Sequence, residues 1–271
     1  TAIMLGSYAN MNFMDFFFYK GKPGIFFAVE LGALASALIL AWLFRKEKQP
    51  IPKNTTRTVV TDYVPTVLLA GMIVLLIAAS FIPNKPDITN GLICVGLLIA
   101  GIIYTAIKTS DKKLIGRMLK AVDLETIGLL FGLFLVIGGI SHMGVIDAVA
   151  ALLAKLGGGN VFLLYTVIVW ASVLFSAFID NIPYVATMLP VISGLAANLG
   201  IDPTLLYFGL LSGATLGGNC TPIGASANIA GIGILRKAGY EVKTKDFVRI
   251  GIPFTLAAVI PAYIYFWLLY S

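Results

Sequence analysis

The stretch GGNCTPIGASANIAG, from Gly217 to Gly231, lies where the chain should be crossing a membrane. Mostly apolar residues flank it on both sides, Leu205–Leu216 before it and Ile232–Leu235 after it. Hydrocarbon offers no hydrogen-bond partner to a free peptide group, so a helix is rarely interrupted there. Five uncharged polar side chains accumulate in the stretch: Asn219, Cys220, Thr221, Ser226 and Asn228. The stretch therefore predicts a membrane helix that is broken at depth for a functional reason.

The composition predicts an all-α polytopic membrane protein. Of 271 residues, 59% are hydrophobic and 12% are charged, about half the charged fraction of a soluble domain. The apolar runs are long enough to span a bilayer as helices, and they lack the alternating pattern of a membrane barrel. The predicted spans are Ile25–Phe44, Val64–Ile82, Asn90–Ile107, Glu125–Met143, Asn160–Phe178, Tyr184–Leu199, Thr204–Leu235 with its break, and Ile250–Tyr270.

The net charge of +6 is concentrated in three segments, Arg45–Arg57, Lys108–Lys120 and Arg236–Arg249, each with five basic residues. Segments assigned to the other side, Pro83–Asp87 and Ser141–Gly159, carry one Lys each. This asymmetry follows the positive-inside rule, so the three basic segments are predicted to be cytoplasmic loops. We therefore expect the chain to interact with the lipid bilayer and not with nucleic acid. We expect it to be a multi-pass protein of the plasma (inner) membrane.

The loop assignments constrain the segment from residue 160 to 199, which must begin and end outside. The preceding Val145–Leu156 is predicted to be an amphipathic helix at the outer interface. Two arrangements satisfy this constraint: two full spans joined in the cytoplasm, or a re-entrant hairpin with its tip inside the membrane. The turn Ile179–Pro183 has no Lys or Arg, unlike the cytoplasmic loops, which favours the re-entrant hairpin.

A short internal similarity suggests an inverted repeat. Asn10–Val29 and Glu241–Val259 each contain Asp-Phe, a short basic stretch with Gly and Pro, and an apolar run, yet they are predicted to have opposite orientations. We expect residues 1–44 to end a first repeat whose N-terminal portion is missing from this chain. Residues 45–61 form a basic linker. Residues 62–159 supply scaffold-type spans and the interfacial helix, and residues 160–271 the hairpin, the broken helix and the last span of a second repeat.

The broken helix supplies the first group of candidate binding residues. Glycines permit sharp backbone turns, and Pro222 lacks a donor and stops a helix. The Asn, Thr and Ser side chains can both donate and accept hydrogen bonds, which suits a small polar solute. The structural alternative is a Pro/Gly kink with small residues for tight packing. The predicted substrate- or ion-binding residues of the break are Gly218, Asn219, Thr221, Pro222, Gly224, Ala225, Ser226 and Asn228.

The predicted hairpin tip supplies the second group: Asp180, Asn181, Ile182 and Pro183. Asp180 is the acidic residue at membrane depth between Glu125 and Arg236, without a basic neighbour in sequence. An intramembrane carboxylate indicates a function, either as a proton carrier or as part of a Na⁺ site. Asp180 could instead cap the helix that begins near Pro183, and the two roles are compatible. We predict no cofactor, with Na⁺ as a candidate ion near Asp180, Asn181, Asn219 and Asn228.

The motifs FIDNIPYVATMLPVI (178–192) and GATLGGNCTPIGASANIAG (213–231) resemble the ion transporter superfamily. They are most similar to its arsenite permease/sodium–proton antiporter branch, in the pink-eyed dilution (P) protein group. The resemblance implies a homodimer with opposed re-entrant hairpins, broken helices and an elevator-type motion, often coupled to Na⁺. Related dicarboxylate transporters carry Ser-Asn-Thr at the hairpin tip, whereas this chain has Asp180-Asn181-Ile182. The aspartate argues against a simple sodium–dicarboxylate symporter.

The sequence therefore predicts a secondary active transporter that moves a small inorganic or organic anion, coupled to H⁺ or Na⁺. A Na⁺/H⁺ antiporter is the alternative, and a channel-like anion conductor is a further one. An intramembrane protease would need a second carboxylate or a Ser–His pair at depth, so the chain is not expected to be an enzyme. A purely structural membrane subunit is the remaining class.

Overall fold

The structure, a computed structural model, describes residues 1–47, 60–82, 86, 88–109, 116, 128, 131–132, 135–136, 138–139 and 142–271. Its α-helices are α1 Ala2–Tyr8, α2 Ile25–Leu43, α3 Val64–Ser80, α4 Thr89–Thr109, α5 Val145–Gly157, α6 Val161–Ser176, α7 Asn181–Leu199, α8 Thr204–Gly217, α9 Ser226–Lys237 and α10 Thr244–Tyr270. Two 3₁₀ helices, Phe13–Phe16 and Gly218–Cys220, and an antiparallel hairpin, β1 Phe18–Tyr19 and β2 Lys22–Pro23, complete the described elements.

The helices confirm an all-α polytopic membrane protein. Four are long and apolar enough to cross a bilayer: Ile25–Leu43, Thr89–Lys108, Asn181–Leu199 and Thr244–Tyr270. Val64–Ser80 and Val161–Ser176 are shorter apolar helices. About half of the predicted span Glu125–Met143 and most of the basic segments 45–61 and 108–120 lie outside the described residues.

The chain forms two compact units, one made of Thr1–Met11, Asp15–Lys48 and Leu130–Ser271, the other of Asn12–Met14 and Gln49–Leu129. The second unit contains the helix pair α3–α4. Asp62, just before α3, accepts hydrogen bonds from the Val64 N–H (3.0 Å) and the Tyr104 hydroxyl (3.1 Å), and its other oxygen lies 2.7 Å from Lys108 Nζ. The Lys108 ammonium lowers the pKa of the Asp62 carboxyl below its ordinary value. These bonds tie the start of α3 to the end of α4.

The first unit is built around α8, which is buried along most of its length. One face of α8 is a stripe of glycines, Gly209, Gly213 and Gly217, that packs against α6. A Cβ on Gly213 or Gly217 would lie 2.5 Å from the carbonyl oxygen of Val169 or Val173. Small residues at this spacing let two helix backbones touch, as in membrane helix pairs. Since residue 213 meets 169 and 217 meets 173, α6 and α8 run parallel.

The last helix, α10, packs on α2 as well as on α8. Ser36 of α2 donates to the carbonyl of Phe254 (3.1 Å), and Phe208 of α8 contacts Phe266 with ring centroids 5.2 Å apart. The helix is continuous through Pro253 and Pro261.

The structure corrects the start of α10. The sequence predicts a loop up to Arg249 and a span from Ile250, whereas α10 begins at Thr244. Asp246 lies in its first turn, where a negative charge stabilises a helix N-terminus. The basic residues of this segment are therefore partly helical. The prediction was wrong because charge was taken to indicate a loop.

Two segments that the sequence places outside meet in the structure. Lys20 at the turn of the β-hairpin forms an ion pair with Asp202 in the connection between α7 and α8. Tyr265 near the end of α10 donates to the carbonyl of Pro23 in β2 (2.9 Å). The similar segments Asn10–Val29 and Glu241–Val259 differ in local structure, because the first contains the 3₁₀ helix and β-hairpin and the second is mostly α10.

Candidate functional site

The hairpin of α6 and α7 turns through Ala177–Asp180, and Asp180 is the N-cap of α7. Asp180 Oδ1 accepts a hydrogen bond from the Ile182 N–H (3.1 Å). Its second oxygen, Oδ2, accepts a hydrogen bond from the Ser226 hydroxyl (2.6 Å) at the start of α9. The sequence allowed Asp180 to be a cap, a site residue, or both. The carboxylate caps α7 and also contacts the second half of the broken helix.

The break predicted from the sequence separates α8 from α9. α8 ends at Gly217, a 3₁₀ turn follows to Cys220, and α9 starts after the extended residue Ala225. The Asn228 side-chain amide donates to the carbonyls of Gly218 (2.9 Å) and Thr221 (3.0 Å). Two carbonyl groups left without helical partners are thus satisfied from within the break, as a hydrocarbon environment would require.

The two sides of the break approach closely at Gly218 and Gly224. A Cβ on Gly218 would lie 2.7 Å from the Gly224 carbonyl oxygen, and one on Gly224 would lie 2.6 Å from the Gly218 carbonyl oxygen. The Gly224 position also faces the carbonyl oxygens of Ser176 and Ala177 at 2.9 and 2.8 Å. Only glycine fits such contacts. These glycines let the break fold back on itself and against the hairpin.

Further hydrogen bonds join the hairpin tip to the break. The Thr221 hydroxyl donates to the Ala177 carbonyl. The buried Ser176 hydroxyl bonds to the Ala214 carbonyl of α8 and lies 2.9 Å from Asn181 Oδ1. The tip and the break therefore form one hydrogen-bonded junction, which we call the tip–break junction, made of residues 176–182 and 214–228.

The parallel packing of α6 and α8 places this junction at the C-terminal end of α8. α8 has 14 residues, which span about 21 Å of a helix. A hydrocarbon core is about 30 Å thick. A helix of this length that started at the outer face would end within the core, which is the depth that the sequence predicts for the junction.

The predicted site residues are not all equally central. The contacts above place eight of them in the junction: Asp180, Asn181, Ile182, Gly218, Thr221, Gly224, Ser226 and Asn228. Ala225 is the extended residue before α9. Asn219 directs its carbonyl toward α10, where a Cβ on Gly251 would lie 2.5 Å away. Pro222 lies in the turn between α8 and α9. The Pro183 carbonyl accepts a hydrogen bond from the Thr187 hydroxyl (2.9 Å) within α7.

The sequence interpretation missed Ser176 and Gly251. Ser176 could have been recognised as a polar residue one turn before the tip of an apolar helix. Gly251 gave no such signal, because its role depends on a contact with Asn219 that is distant in sequence.

The junction brings together two helix N-termini and one carboxylate. The starts of α7 and α9 carry partial positive charge, and Asp180 contacts both. In the described part of the chain, Asp180 forms no ion pair, and no three His, Cys, Asp or Glu residues cluster as a metal site would require. The arrangement can bind an anion, or a proton or Na⁺ on Asp180.

Comparison with known proteins gives consistent matches along the whole chain. The sequence model of a family described as Citrate transporter matches residues 1–213 and residues 92–271. A 46 kDa membrane protein of Mycobacterium leprae is 33% identical over 272 residues, which cover 99% of this chain and 62% of that protein. An uncharacterized transporter of Mycobacterium tuberculosis is 35% identical over 204 residues, 74% of this chain and 46% of that protein.

The P protein of Homo sapiens is 37% identical over 143 residues, which cover 50% of this chain and 17% of that protein. No solved structure matches the chain significantly. The chain spans less than two thirds of the length of the relatives described here. The family and the Mycobacterium tuberculosis relative are described as transporters rather than enzymes, as the sequence predicted. The chain belongs to the citrate transporter family of the ion transporter superfamily.

Proposed function

We propose that this chain forms part of a secondary active transporter that carries a small anion across the plasma (inner) membrane, coupled to H⁺ or Na⁺. Organic carboxylates are the first class to test, because the matching family is described as a citrate transporter. The observation that carries the proposal is the position of Asp180. Its carboxylate links the N-terminus of α7 to that of α9.

The proposed coupling follows from charge. Helix N-termini attract anions, and here Asp180 already supplies a negative charge to two of them. A substrate anion that approached the same N-termini would be repelled by an ionised Asp180. A proton or a Na⁺ ion on Asp180 removes that repulsion. Binding of the cation and the anion is therefore cooperative, which is the requirement for symport.

The motion we propose is of the elevator type, in a homodimer, as the family resemblance implies. The bonds from Thr221 to Ala177 and from Ser176 to Ala214 support movement of the hairpin and broken helix as one body. Local gating at the tip would require the hydrogen bond between Ser226 and Asp180 to open. This is a single hydrogen bond between exposed side chains, so it can break without disturbing the other bonds of the junction.

A Na⁺/H⁺ antiporter is the second candidate. The observation that favours it is the chemistry of the junction, which offers a carboxylate, a hydroxyl and backbone carbonyls. Hard cations prefer such oxygen ligands. An antiporter would exchange Na⁺ for H⁺ on Asp180 with no anion present. A channel-like conductor would instead pass anion current without a coupling ion.

The test uses the full-length protein in liposomes that contain a pH-sensitive dye. A Na⁺ or a pH gradient is imposed, first alone and then with citrate outside. The proposal predicts that proton flux or Na⁺-driven uptake begins only with the anion and is lost in Asp180→Asn. Asn also caps helices, so this change removes the charge and preserves the start of α7. Asp246→Asn, an equivalent change in the first turn of α10, should leave uptake intact.

The alternatives give different results in the same vesicles. Na⁺-dependent proton flux without any anion would establish the antiporter and overturn the symport proposal. Anion current that needs neither gradient would establish the conductor. Coupled uptake that survives Asp180→Asn would show that Asp180 is not the coupling residue.

A further inference from the structure

A cavity in the first unit lies away from the tip–break junction. It measures about 370 Å³ and is formed by the end of α1, the β-hairpin and the connection between α7 and α8. Its polar lining includes Tyr8, Asn10, Tyr19, Lys20, Asp202 and Tyr207. A smaller cavity of about 100 Å³ shares Lys20 and Asp202 and adds Lys22 and Tyr270. These residues belong to segments that the sequence places outside the membrane, so we call the pair the outer cavity.

The backbone of the outer cavity is strained at two positions. In the described part of the chain, Asn10 (φ 52°) and Lys20 (φ 51°) are the non-glycine residues with positive φ, and both line this cavity. Such strain persists where the surrounding structure enforces it, and it clusters at ligand sites. The coincidence distinguishes this cavity from an ordinary surface depression.

The strain at Lys20 is informative because another residue would avoid it. Lys20 and Gly21 are the two central residues of the β1–β2 turn, and both have positive φ. This geometry is the type I′ turn, in which Asn-Gly is preferred. A lysine at the first position has a stability cost that its side chain must offset. The Lys20 ammonium lies in the cavity, beside Asp202.

The charges in the cavity are arranged rather than scattered. Asp202 Oδ1 accepts the Thr204 N–H (2.9 Å) at the start of α8, which leaves Oδ2 for the Lys20 ammonium. Lys22 donates to the carbonyl of Leu269 and lies over the Tyr270 ring at 5.5 Å. Lys20 lies 5.2 Å from the Tyr19 ring centre. Two ammonium groups against one carboxylate leave a net positive charge, flanked by phenol rings.

We propose that the outer cavity binds a small organic anion with more than one carboxylate, as an access site separate from the tip–break junction. A volume of about 370 Å³ is far larger than an inorganic ion needs and falls in the range of small-molecule sites. Two ammonium groups suit an anion with two charged ends. The Asp202 carboxylate competes for Lys20, which keeps binding weak enough for release. The choice of carboxylates rests on the proposed function, whereas the site does not.

Helix α8 separates the two sites. Its first residue, Thr204, lines the outer cavity, and its last residues, from Ala214, belong to the tip–break junction. Fourteen helical residues span about 21 Å. An anion held at the outer cavity is therefore about one helix length away from the junction.

The test is protection of a cysteine placed in the cavity wall. Ala9→Cys is introduced into the full-length protein with its other cysteines replaced, and labelling by a membrane-impermeant thiol reagent is followed in liposomes. At a citrate concentration ten times its dissociation constant, labelling should slow about tenfold. Acetate at matched ionic strength should not protect. Lys20→Asn should abolish protection and Lys20→Arg should retain it. Since Asn suits the turn, misfolding would not explain the loss.

A second variant separates this inference from the proposed function. Asp180→Asn, combined with Ala9→Cys, should keep citrate protection of the introduced thiol while coupled uptake is lost. Protection without any transport would refute the transporter proposal and support the outer cavity site. Normal transport without protection, equal protection by acetate, or protection that survives Lys20→Asn would each overturn the outer cavity site.

Discussion

Replacement of Gly224 by alanine tests the geometry of the tip–break junction most directly. The added Cβ would lie 2.6 Å from the carbonyl oxygen of Gly218, 2.8 Å from that of Ala177 and 2.9 Å from that of Ser176. Ordinary contact begins at 3.4 Å, so these oxygens must retreat by 0.5 to 0.8 Å. All three belong to the backbone and none can rotate away. Overpacking of this kind costs about 1–3 kcal/mol.

The free-energy cost of Gly224→Ala can be measured as a shift in the midpoint temperature of thermal unfolding, Tm. A domain of this size loses about 3 °C of Tm for each kcal/mol, so Gly224→Ala should lower Tm by about 3 to 9 °C. Gly231→Ala in α9 is the matched control. Its Cβ would meet nothing within 4 Å, and alanine in a helix interior is favoured over glycine by about 1 kcal/mol. The same substitution should therefore destabilise at position 224 and stabilise at position 231.

Transport should also be impaired in Gly224→Ala and not in Gly231→Ala. Separation of the tip from the break weakens the bond between Thr221 and Ala177, so Gly224→Ala should lose uptake even at temperatures where it is folded. Equal Tm values and equal uptake for the two variants would refute the packing of break against hairpin. A loss of Tm with normal uptake would show that the contact is structural and that transport does not depend on it.

Three further predictions concern single contacts. Ser226→Ala removes a charge-assisted hydrogen bond to Asp180 worth about 1.5–3 kcal/mol, so initial uptake rates in liposomes should fall by about 10- to 100-fold; unchanged rates would remove Ser226 from the site. Thr255→Val should raise the Tm, because the buried Thr255 hydroxyl has no partner among the described residues; a lower Tm would reveal a bound water or ion there. Lys108→Gln should raise the pKa of Asp62 toward 3.8 in an NMR titration. The ion pair stabilises the folded state at pH values above the ordinary pKa of Asp62, and this stabilisation is lost as the pH falls through the lowered pKa. An unchanged Asp62 titration in the variant would refute the pairing.

Much of the fold follows from apolar run length and loop charge. The runs that begin at Ile25, Val64 and Thr204 predicted α2, α3 and α8 to within a few residues, because lipid requires complete helices. Loop charge placed residues 20 and 202 on the same side, and their ion pair agrees with that placement. These features depend on local composition, which a single sequence displays fully.

Contacts across the chain could not be predicted in this way. Nothing local indicates that Asp180 meets Ser226, because 46 residues separate them and their pairing depends on how α6 packs against α8. The glycine stripe on α8 determines that packing. In the sequence, however, the same glycines are equally consistent with a simple kink in the helix. The start of α10 was missed for a related reason. Charged residues can continue a helix past the hydrocarbon, and composition alone does not separate that case from a loop.

The aspartate at the hairpin tip connects these observations. A serine in its place could cap α7 as well, so capping alone does not require a charge. The aspartate instead places a carboxylate between two helix N-termini. Under the proposed function, a substrate anion binds there only after a cation has neutralised Asp180, and that cation is carried along. On this argument the coupling stoichiometry is set at the tip: with Asp180 ionised, each transported anion requires one additional cation.

Replacement of Asp180 by Ser in the full-length protein should therefore uncouple uptake from the pH or Na⁺ gradient while leaving anion binding. If gradient-driven uptake persists in Asp180→Ser, the coupling charge lies elsewhere.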